Sequence, residues 1–458
     1  MLIAAGVSRW TMLHLGASVV ALFIAEALFV SGYADPMEGL RAPETLIAVH
    51  LLTLGWLSLL MLGALYQFVP VITNSQLFSQ RLPIIGFVAI VTGLTGMIAG
   101  FAALSGSETL PLICLPVGGA LVLAGLGIGA FNVAATLWRA RPLPMQALFV
   151  AAGLGFLVLT GLIGVCFALA LALPEPPAML TSLVRNGLSA HVAGGLFGWF
   201  TLTAMGVSYR LLSMFMLAPE EARWTTYAAL FLTPGGLLVL MGAILFLGGN
   251  SQSIAVAAGA LLAAFGIAFY LADIVHLYRV RKRRHLELNS VAAAVALGFL
   301  AFSIVATFVA AMSGALERFA GTLGYLFVFG WLSGLGLSQL YKIVPFMTWL
   351  EVFGRRLGKG PVPRVQDLVE EPRARRWFAL YFSSVPIGAL AIAFTSAPLF
   401  HAASLAQLAA TALIGFELWH SRHPDPNAAP KPLAPGAALP FARPSSPKQT
   451  PSTPTHGA

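Results

Sequence analysis

The chain has 458 residues, of which 58% are hydrophobic and only 9% are charged. So little charge cannot cover the surface of a water-soluble globule of this length, so the composition excludes an ordinary soluble protein and predicts a surface that faces lipid. The formal net charge of +9 does not indicate nucleic-acid binding, because the basic residues fall in the loops on one side of the predicted membrane spans.

Twelve apolar runs are long enough to cross a bilayer, which takes roughly 20 mostly apolar residues in a helix. They fall at residues 10–31, 43–70, 83–104, 111–138, 144–173, 187–215, 225–247, 254–280, 291–312, 321–349, 377–394 and 398–419. The sequence therefore predicts an all-α membrane protein with twelve transmembrane helices in residues 1–423, surrounded by the lipid bilayer. The stretch 424–458 is rich in Pro, Ala, Ser and Thr and is predicted to be a disordered cytoplasmic tail.

The basic residues predict the orientation of the chain. If the N-terminus is cytoplasmic, 23 of the 26 Lys and Arg residues lie in cytoplasmic segments, and only Arg41, Arg185 and Arg318 lie in outside loops. Cytoplasmic loops of membrane proteins carry the excess of Lys and Arg, so we predict a multi-pass protein of the cell (inner) membrane with both termini in the cytoplasm.

An internal repeat organises the helices. Three stretches align without gaps: HLLTLGWLSLLMLGALYQFVP from His50, AGGLFGWFTLTAMGVSYRLLS from Ala193 and YLFVFGWLSGLGLSQLYKIVP from Tyr325. Each contains a Gly-Trp pair, a hydroxyl residue two places after the Trp, and a Tyr ten places after the Trp. Small and aromatic residues also serve helix packing alone, but their recurrence at one spacing predicts three copies of a four-helix unit, at approximately 10–140, 144–284 and 288–423.

These motifs resemble those of the catalytic subunit I of the haem-copper oxidases, and most of all its cbb-type branch. That family has twelve helices in three pseudo-equivalent arcs of four, with both termini inside. The second predicted helix, in which His50 precedes a Gly-rich run that ends in Tyr and Pro, is similar to the family's haem-bearing second helix. The stretches around His191 and after Gly324 resemble its sixth and tenth helices. The resemblance implies a haem-copper oxidase subunit I-like arrangement.

Only part of the family's ligand set carries over. By position, His50 matches the low-spin haem ligand of helix two, and His191 matches the region of helix six that supplies a copper ligand. Predicted helices seven and ten contain no histidine where the family has its remaining ligands, and Tyr325 stands at the repeat position of His50. The resemblance therefore implies at most one haem or metal, with haem ahead of copper, and argues against reduction of oxygen or nitric oxide.

Ionisable residues inside the predicted spans are few, and each is a candidate for function because its charge is costly in a membrane. His50 and His191 lie about two turns inside the outer face, and Glu26 falls at a comparable depth. Two imidazoles and a carboxylate at one level could hold a haem iron, a copper ion or a transported cation. The alternative is that both histidines are hydrogen-bonded to neighbouring helices and that Glu26 is neutral or paired.

A second polar group lies towards the predicted cytoplasmic face. It consists of Asp273 and His276 in helix eight and Glu417 in helix twelve, and Thr136 occupies the repeat position of His276 and Glu417. Such groups could pass protons, but snorkelling of these side chains near the basic loops is the favoured interpretation.

The sequence carries no Walker loop, dinucleotide fingerprint, HExxH or Cys-pair motif, which argues against hydrolase and ATP-driven functions. We predict a haem-copper oxidase subunit I-like protein that acts in electron transfer, sensing or respiratory-complex assembly, beside cytochromes or other respiratory subunits. One alternative is a transporter or permease for a small solute or ion, in which Glu26, His50 and His191 line one site. Another is a purely structural partner in a respiratory complex.

Overall fold

The structure is a computed structural model that describes residues 5–426, and residues 427–458, which make up most of the predicted tail, lie outside the described part. Within residues 5–426 all regular structure is helical, and twelve helices are long and apolar enough to cross a membrane. They are α1 (Ala5–Ser31), α2 (Pro43–Thr73), α3 (Leu82–Leu104), α4 (Cys114–Arg139), α5 (Met145–Ala172), α6 (Leu188–Met216), α7 (Trp224–Phe246), α8 (Gly249–Val280), α9 (Leu288–Met312), α10 (Leu316–Arg356), α11 (Glu371–Ala393) and α12 (Ala397–Arg422). The prediction of an all-helical chain with twelve spans is confirmed.

The helices differ from the predicted runs mainly at polar ends. Helix α10 is longer than predicted, because its first turn holds Glu317 and Arg318, which an apolar run leaves out. Helix α11 begins at Glu371 with Pro372 in its first turn, a place where Pro lacks only an N–H that would have no partner in the helix.

Because successive helices cross in alternate directions, α1 begins and α12 ends on one side of the bundle. We call this the terminal side and the other the opposite side.

Helices α2, α6 and α10 form the centre of the molecule. In the most apolar stretch of each of them 67% of the residues are buried, against at most 50% in the other nine helices. Each central helix contains one π-helical segment, at Leu51–Ser58, Gly194–Thr201 and Leu326–Ser333. The three segments begin at equivalent positions of the repeat, and each contains the Gly-Trp pair. The repeated motif therefore marks the same widened turn in all three helices.

A closed ring of hydrogen bonds joins the three central helices. In each bond the indole N–H of one copy donates to the hydroxyl that follows the Trp of another copy by two places: Trp56 to Ser333 at 2.9 Å, Trp331 to Thr201 at 3.4 Å, and Trp199 to Ser58 at 3.2 Å. All six side chains are buried. Buried indole N–H groups need an acceptor, so the recurring hydroxyl residue is explained by this ring.

The glycine of each Gly-Trp pair lets the central helix approach the first helix of its own copy. A Cβ at Gly55 would stand 2.7 Å from Ala21 Cβ in α1, and one at Gly198 would stand 2.4 Å from the Phe156 ring in α5. A Cβ at Gly330 would likewise stand 2.6 Å from a ring carbon of α9. Because no other residue fits at these separations, the three copies pack their first two helices in the same way.

Candidate functional site

His50 is the last residue of α2 before its π-helical segment. Its Nδ1 lies 2.7 Å from the carbonyl oxygen of Leu46, one turn earlier, and its ring lies 5.0 Å from the ring of Phe101 in α3. A carbonyl oxygen only accepts, so Nδ1 carries the proton and donates it, and Nε2 keeps its lone pair. The backbone carbonyl therefore fixes the orientation of the His50 imidazole, and Nε2 of the neutral ring is a potential metal ligand.

His191 is fixed in the same way by a different helix. Its Nδ1 lies 3.1 Å from the carbonyl oxygen of Thr160 in α5, and its ring packs 5.4 Å from that of Phe167. A Cβ at Gly164 would stand 3.0 Å from His191 Cε1, so the absence of a side chain there makes room for the imidazole. As in His50, the bond through Nδ1 leaves the lone pair on Nε2.

The two imidazoles lie on neighbouring parts of the bundle, which we call the histidine junction: His50 packs against α3, and His191 packs against α5. They lie close enough for an electrostatic interaction between them. Both side chains are only partly buried. A backbone partner on one nitrogen sets the tautomer and orientation of an imidazole that ligates a metal through the other, and each of the two rings has such a partner.

Glu26 does not join the histidines. Its Oε1 accepts hydrogen bonds from Gln407 Nε2 at 2.9 Å and Thr411 Oγ1 at 3.0 Å, both in α12, and the Tyr325 hydroxyl of α10 donates to Gln407 Oε1 at 2.7 Å. We call Glu26, Gln407, Thr411 and Tyr325 the carboxyl junction. The sequence predicts Glu26 at the same depth as His50 and His191, but it belongs to a different junction. Equal depth does not imply that side chains face one another. In the described part of the chain no group of three or more His, Cys, Asp or Glu side chains could hold a metal ion.

Asp273 joins α8 to the connection between α6 and α7. Its carboxylate accepts from the Tyr209 hydroxyl at 3.0 Å, from Thr226 at 2.7 Å, from Thr225, and from Arg223 Nη1 at 3.1 Å. The carboxylate is 3% exposed, so these four donors compensate its burial.

Glu417 plays the equivalent part in α12. It accepts two hydrogen bonds from Arg373, the one from Nη2 at 2.8 Å, and one from Trp377 at 3.4 Å. In α4 the Thr136 hydroxyl accepts from the backbone N–H of Phe78, in the α2–α3 connection. The fourth helix of each copy therefore anchors the start of the third helix or the connection before it, and neither Asp273 nor Glu417 reaches towards water as a snorkelling side chain does.

The sequence analysis did not single out Gln407 and Thr411. They lie four residues apart in an apolar helix, so they share one face of α12. Two polar side chains on one face of a membrane helix are a signal that they contact a polar residue of another helix. That signal would have indicated a partner in α12, without indicating that the partner is Glu26.

Comparison of the chain with protein-family models and with curated proteins finds no match. The described geometry therefore assigns the chain to a broad class only, the helical membrane proteins, with twelve apolar spans.

Proposed function

We propose that this chain is a haem-copper oxidase subunit I-like membrane protein that binds one haem iron or metal ion through His50 and His191 and acts in electron transfer, sensing or the assembly of a respiratory complex. The observation that carries the proposal is the pair of imidazoles, each fixed through Nδ1 to a backbone carbonyl. Imidazole nitrogen is a ligand for iron, copper and zinc, and the backbone bonds supply the orientation that such ligands need.

The donor set favours electron transfer over oxygen chemistry. His50 and His191 would hold the iron of a haem, and a haem held by two imidazoles would supply reversible one-electron oxidation and reduction. What the chain itself does at this junction is to hold the two rings: Leu46 and Thr160 fix their tautomers, and Gly164 leaves the space for the His191 ring. Haem stands ahead of copper because His50 occupies the position of the haem ligand in the family that the sequence resembles.

The first test is the haem and metal content of the full chain purified from membranes. A pyridine haemochrome assay and elemental analysis are made on the unchanged protein, on His50→Gln and His191→Gln, and on His276→Gln as the control histidine in α8. We expect one bound haem or metal ion per chain, lost in the first two variants and kept in the third. Equal contents in all four proteins would contradict the proposal.

A second candidate function, a transporter or permease for a small solute or ion, is favoured by a separate observation. The carboxyl junction places a buried carboxyl group between α1, α10 and α12, and such groups mark the pathways of many carriers. Uptake of protons or of labelled ions into vesicles that contain the protein tests this candidate. Uptake that depends on Glu26 and not on His50 would favour it over the metal site.

A further inference from the structure

We propose that Glu26 is a proton-binding site that exchanges its proton with the opposite side of the membrane through a row of polar side chains on α12. The site lies at the carboxyl junction and is independent of the metal site proposed at the histidine junction. The argument has three parts, which concern the surroundings of the carboxyl group, the polar row that leads to it, and the apolar residues beyond it.

Glu26 is 1% exposed, and its two oxygens differ. Oε1 accepts hydrogen bonds from Gln407 and Thr411, whereas Oε2 is buried and has no hydrogen-bond partner among the residues that the structure describes. The titratable groups that interact electrostatically with it are the hydroxyls of Tyr325 and Tyr381, in α10 and α11.

This arrangement matches a carboxylic acid and not a carboxylate. In a carboxylic acid one oxygen is a carbonyl that accepts hydrogen bonds, as Oε1 does here, and the other carries the proton. A carboxylate at this place would put a charge in the membrane interior that is stabilised only by neutral donors, and such a charge is costly. Glu26 with a proton on Oε2 is neutral and fits the site.

A row of polar side chains leads from the opposite side to Glu26. His401, Ser404, Gln407 and Thr411 recur every three or four residues along one face of α12, and the row is about 15 Å long at 1.5 Å per residue. His401 begins the row near the opposite side, where a Cβ at Gly32 would stand 3.4 Å from its Nε2. This nitrogen has no hydrogen-bond partner within residues 5–426, and Ser404 lies beside the Tyr325 hydroxyl.

The row ends at Glu26. One turn further towards the terminal side, the same faces of α1 and α12 carry Leu22 and Ile414, which are both 0% exposed. Apolar side chains offer no hydrogen bonds to a proton, so Leu22 and Ile414 separate Glu26 from Ser18 and His14, the next buried polar residues on this face of α1. The polar side chains of α12 that lead from Glu26 to the opposite side are therefore Gln407, Ser404 and His401.

Infrared spectroscopy of the full chain in lipid tests the proposal at neutral pH. A protonated carboxyl group has a C=O stretching band that a carboxylate lacks, and the band shifts when the proton is exchanged for deuterium. We expect the spectrum of the unchanged protein minus that of Glu26→Gln to contain this band. Glu417→Gln is the matched control: Glu417 is paired with Arg373, so its substitution is expected to remove no such band.

The route is tested by the rate of the deuterium shift after transfer to heavy water. Ser404→Val is expected to slow the shift several-fold, whereas Ser303→Val, at a buried serine of α9, leaves the rate unchanged. Should Ser404→Val not fold, His401→Ala at the partly exposed beginning of the row replaces it, with the same expected slowing. The proposal would be overturned if the difference spectrum against Glu26→Gln lacked the carboxyl band. It would also be overturned if the deuterium shift had the same rate in the row variants as in the unchanged protein.

Discussion

His50 and Tyr325 occupy equivalent positions of the repeat, each as the last residue before a π-helical segment, but they take part in different chemistry. His50 faces α3 and has its own helix as the partner of Nδ1, so the other nitrogen keeps a lone pair for a ligand. Tyr325 donates its hydroxyl to Gln407, which in turn donates to Glu26. At the third equivalent position, in α6, stands Ala193, which has no polar side chain.

The comparison teaches that the centre and the junctions of this protein have separate roles. The Trp–hydroxyl ring and the glycine contacts are repeated in all three copies, so they hold the helices in place. The residues that precede the π-helical segments differ from copy to copy, and only His50 and Tyr325 have polar side chains there. Substitutions in the centre should therefore change stability, and those at the histidine junction should change ligand binding.

The largest loss of stability is expected from Trp331→Ala. Trp331 is 0% exposed and takes part in the ring, so truncation leaves a cavity and costs about 3–5 kcal/mol of unfolding free energy. Trp138→Ala is the control, since Trp138 is 67% exposed on the lipid-facing surface. Thermal unfolding in one detergent measures both. Equal losses in the two variants would contradict a central role for the ring.

At the carboxyl junction, Gln407→Leu is expected to destabilise the protein by about 1–3 kcal/mol because the Tyr325 hydroxyl is left unpaired. The loss of one of the two hydrogen bonds of Glu26 Oε1, which keeps Thr411 as a donor, adds about 1 kcal/mol. Gln339→Leu is the matched control in α10, because Gln339 is buried and its side-chain amide has no partner in the described structure. Denaturant unfolding should show a loss in the first variant and none in the second. A loss of the same size in both would show that Gln407 acts by packing alone.

A smaller effect is expected from Thr201→Val, which keeps the shape of the side chain and removes its hydroxyl. Trp331 Nε1 then has no acceptor, at a cost of about 1–3 kcal/mol. Thr203→Val, two residues further in α6, is the control: Thr203 is also 0% exposed, and its hydroxyl has no partner within residues 5–426. Because the Thr201 hydroxyl also donates to the Leu196 carbonyl oxygen at 2.8 Å, the difference between the two unfolding free energies measures both of its hydrogen bonds. No difference would mean that the ring contributes nothing.

The smallest effect on stability is expected at the histidine junction. In the absence of metal, His50→Gln removes one hydrogen bond of a partly buried ring, so the unfolding free energy should fall by only about 1 kcal/mol. Thermal unfolding in the presence of a chelator checks this. A loss as large as that of Trp331→Ala would place His50 among the structural residues instead.

The sequence predicts the spans well, because a bilayer demands long apolar helices whatever their neighbours are. The repeat locates the central helices, since the Gly-Trp pair and the hydroxyl residue recur wherever two of these helices meet. Glu26 could be placed only by depth, because a single sequence does not give the rotation of a helix about its axis. The anchoring roles of Asp273 and Glu417 depend on Arg223 and Arg373, which lie just before α7 and in the first turn of α11. Apolar periodicity does not predict where such polar helix ends lie relative to another helix.

The most direct test of the proposed metal site is X-ray absorption spectroscopy of the metal bound to the purified full chain. Imidazole ligands give a characteristic scattering pattern, from which their number is fitted. We predict two imidazoles in the unchanged protein and a loss of imidazole scattering in both His50→Gln and His191→Gln. A bound metal whose spectrum stays the same in both variants would contradict the assignment of His50 and His191 as its ligands.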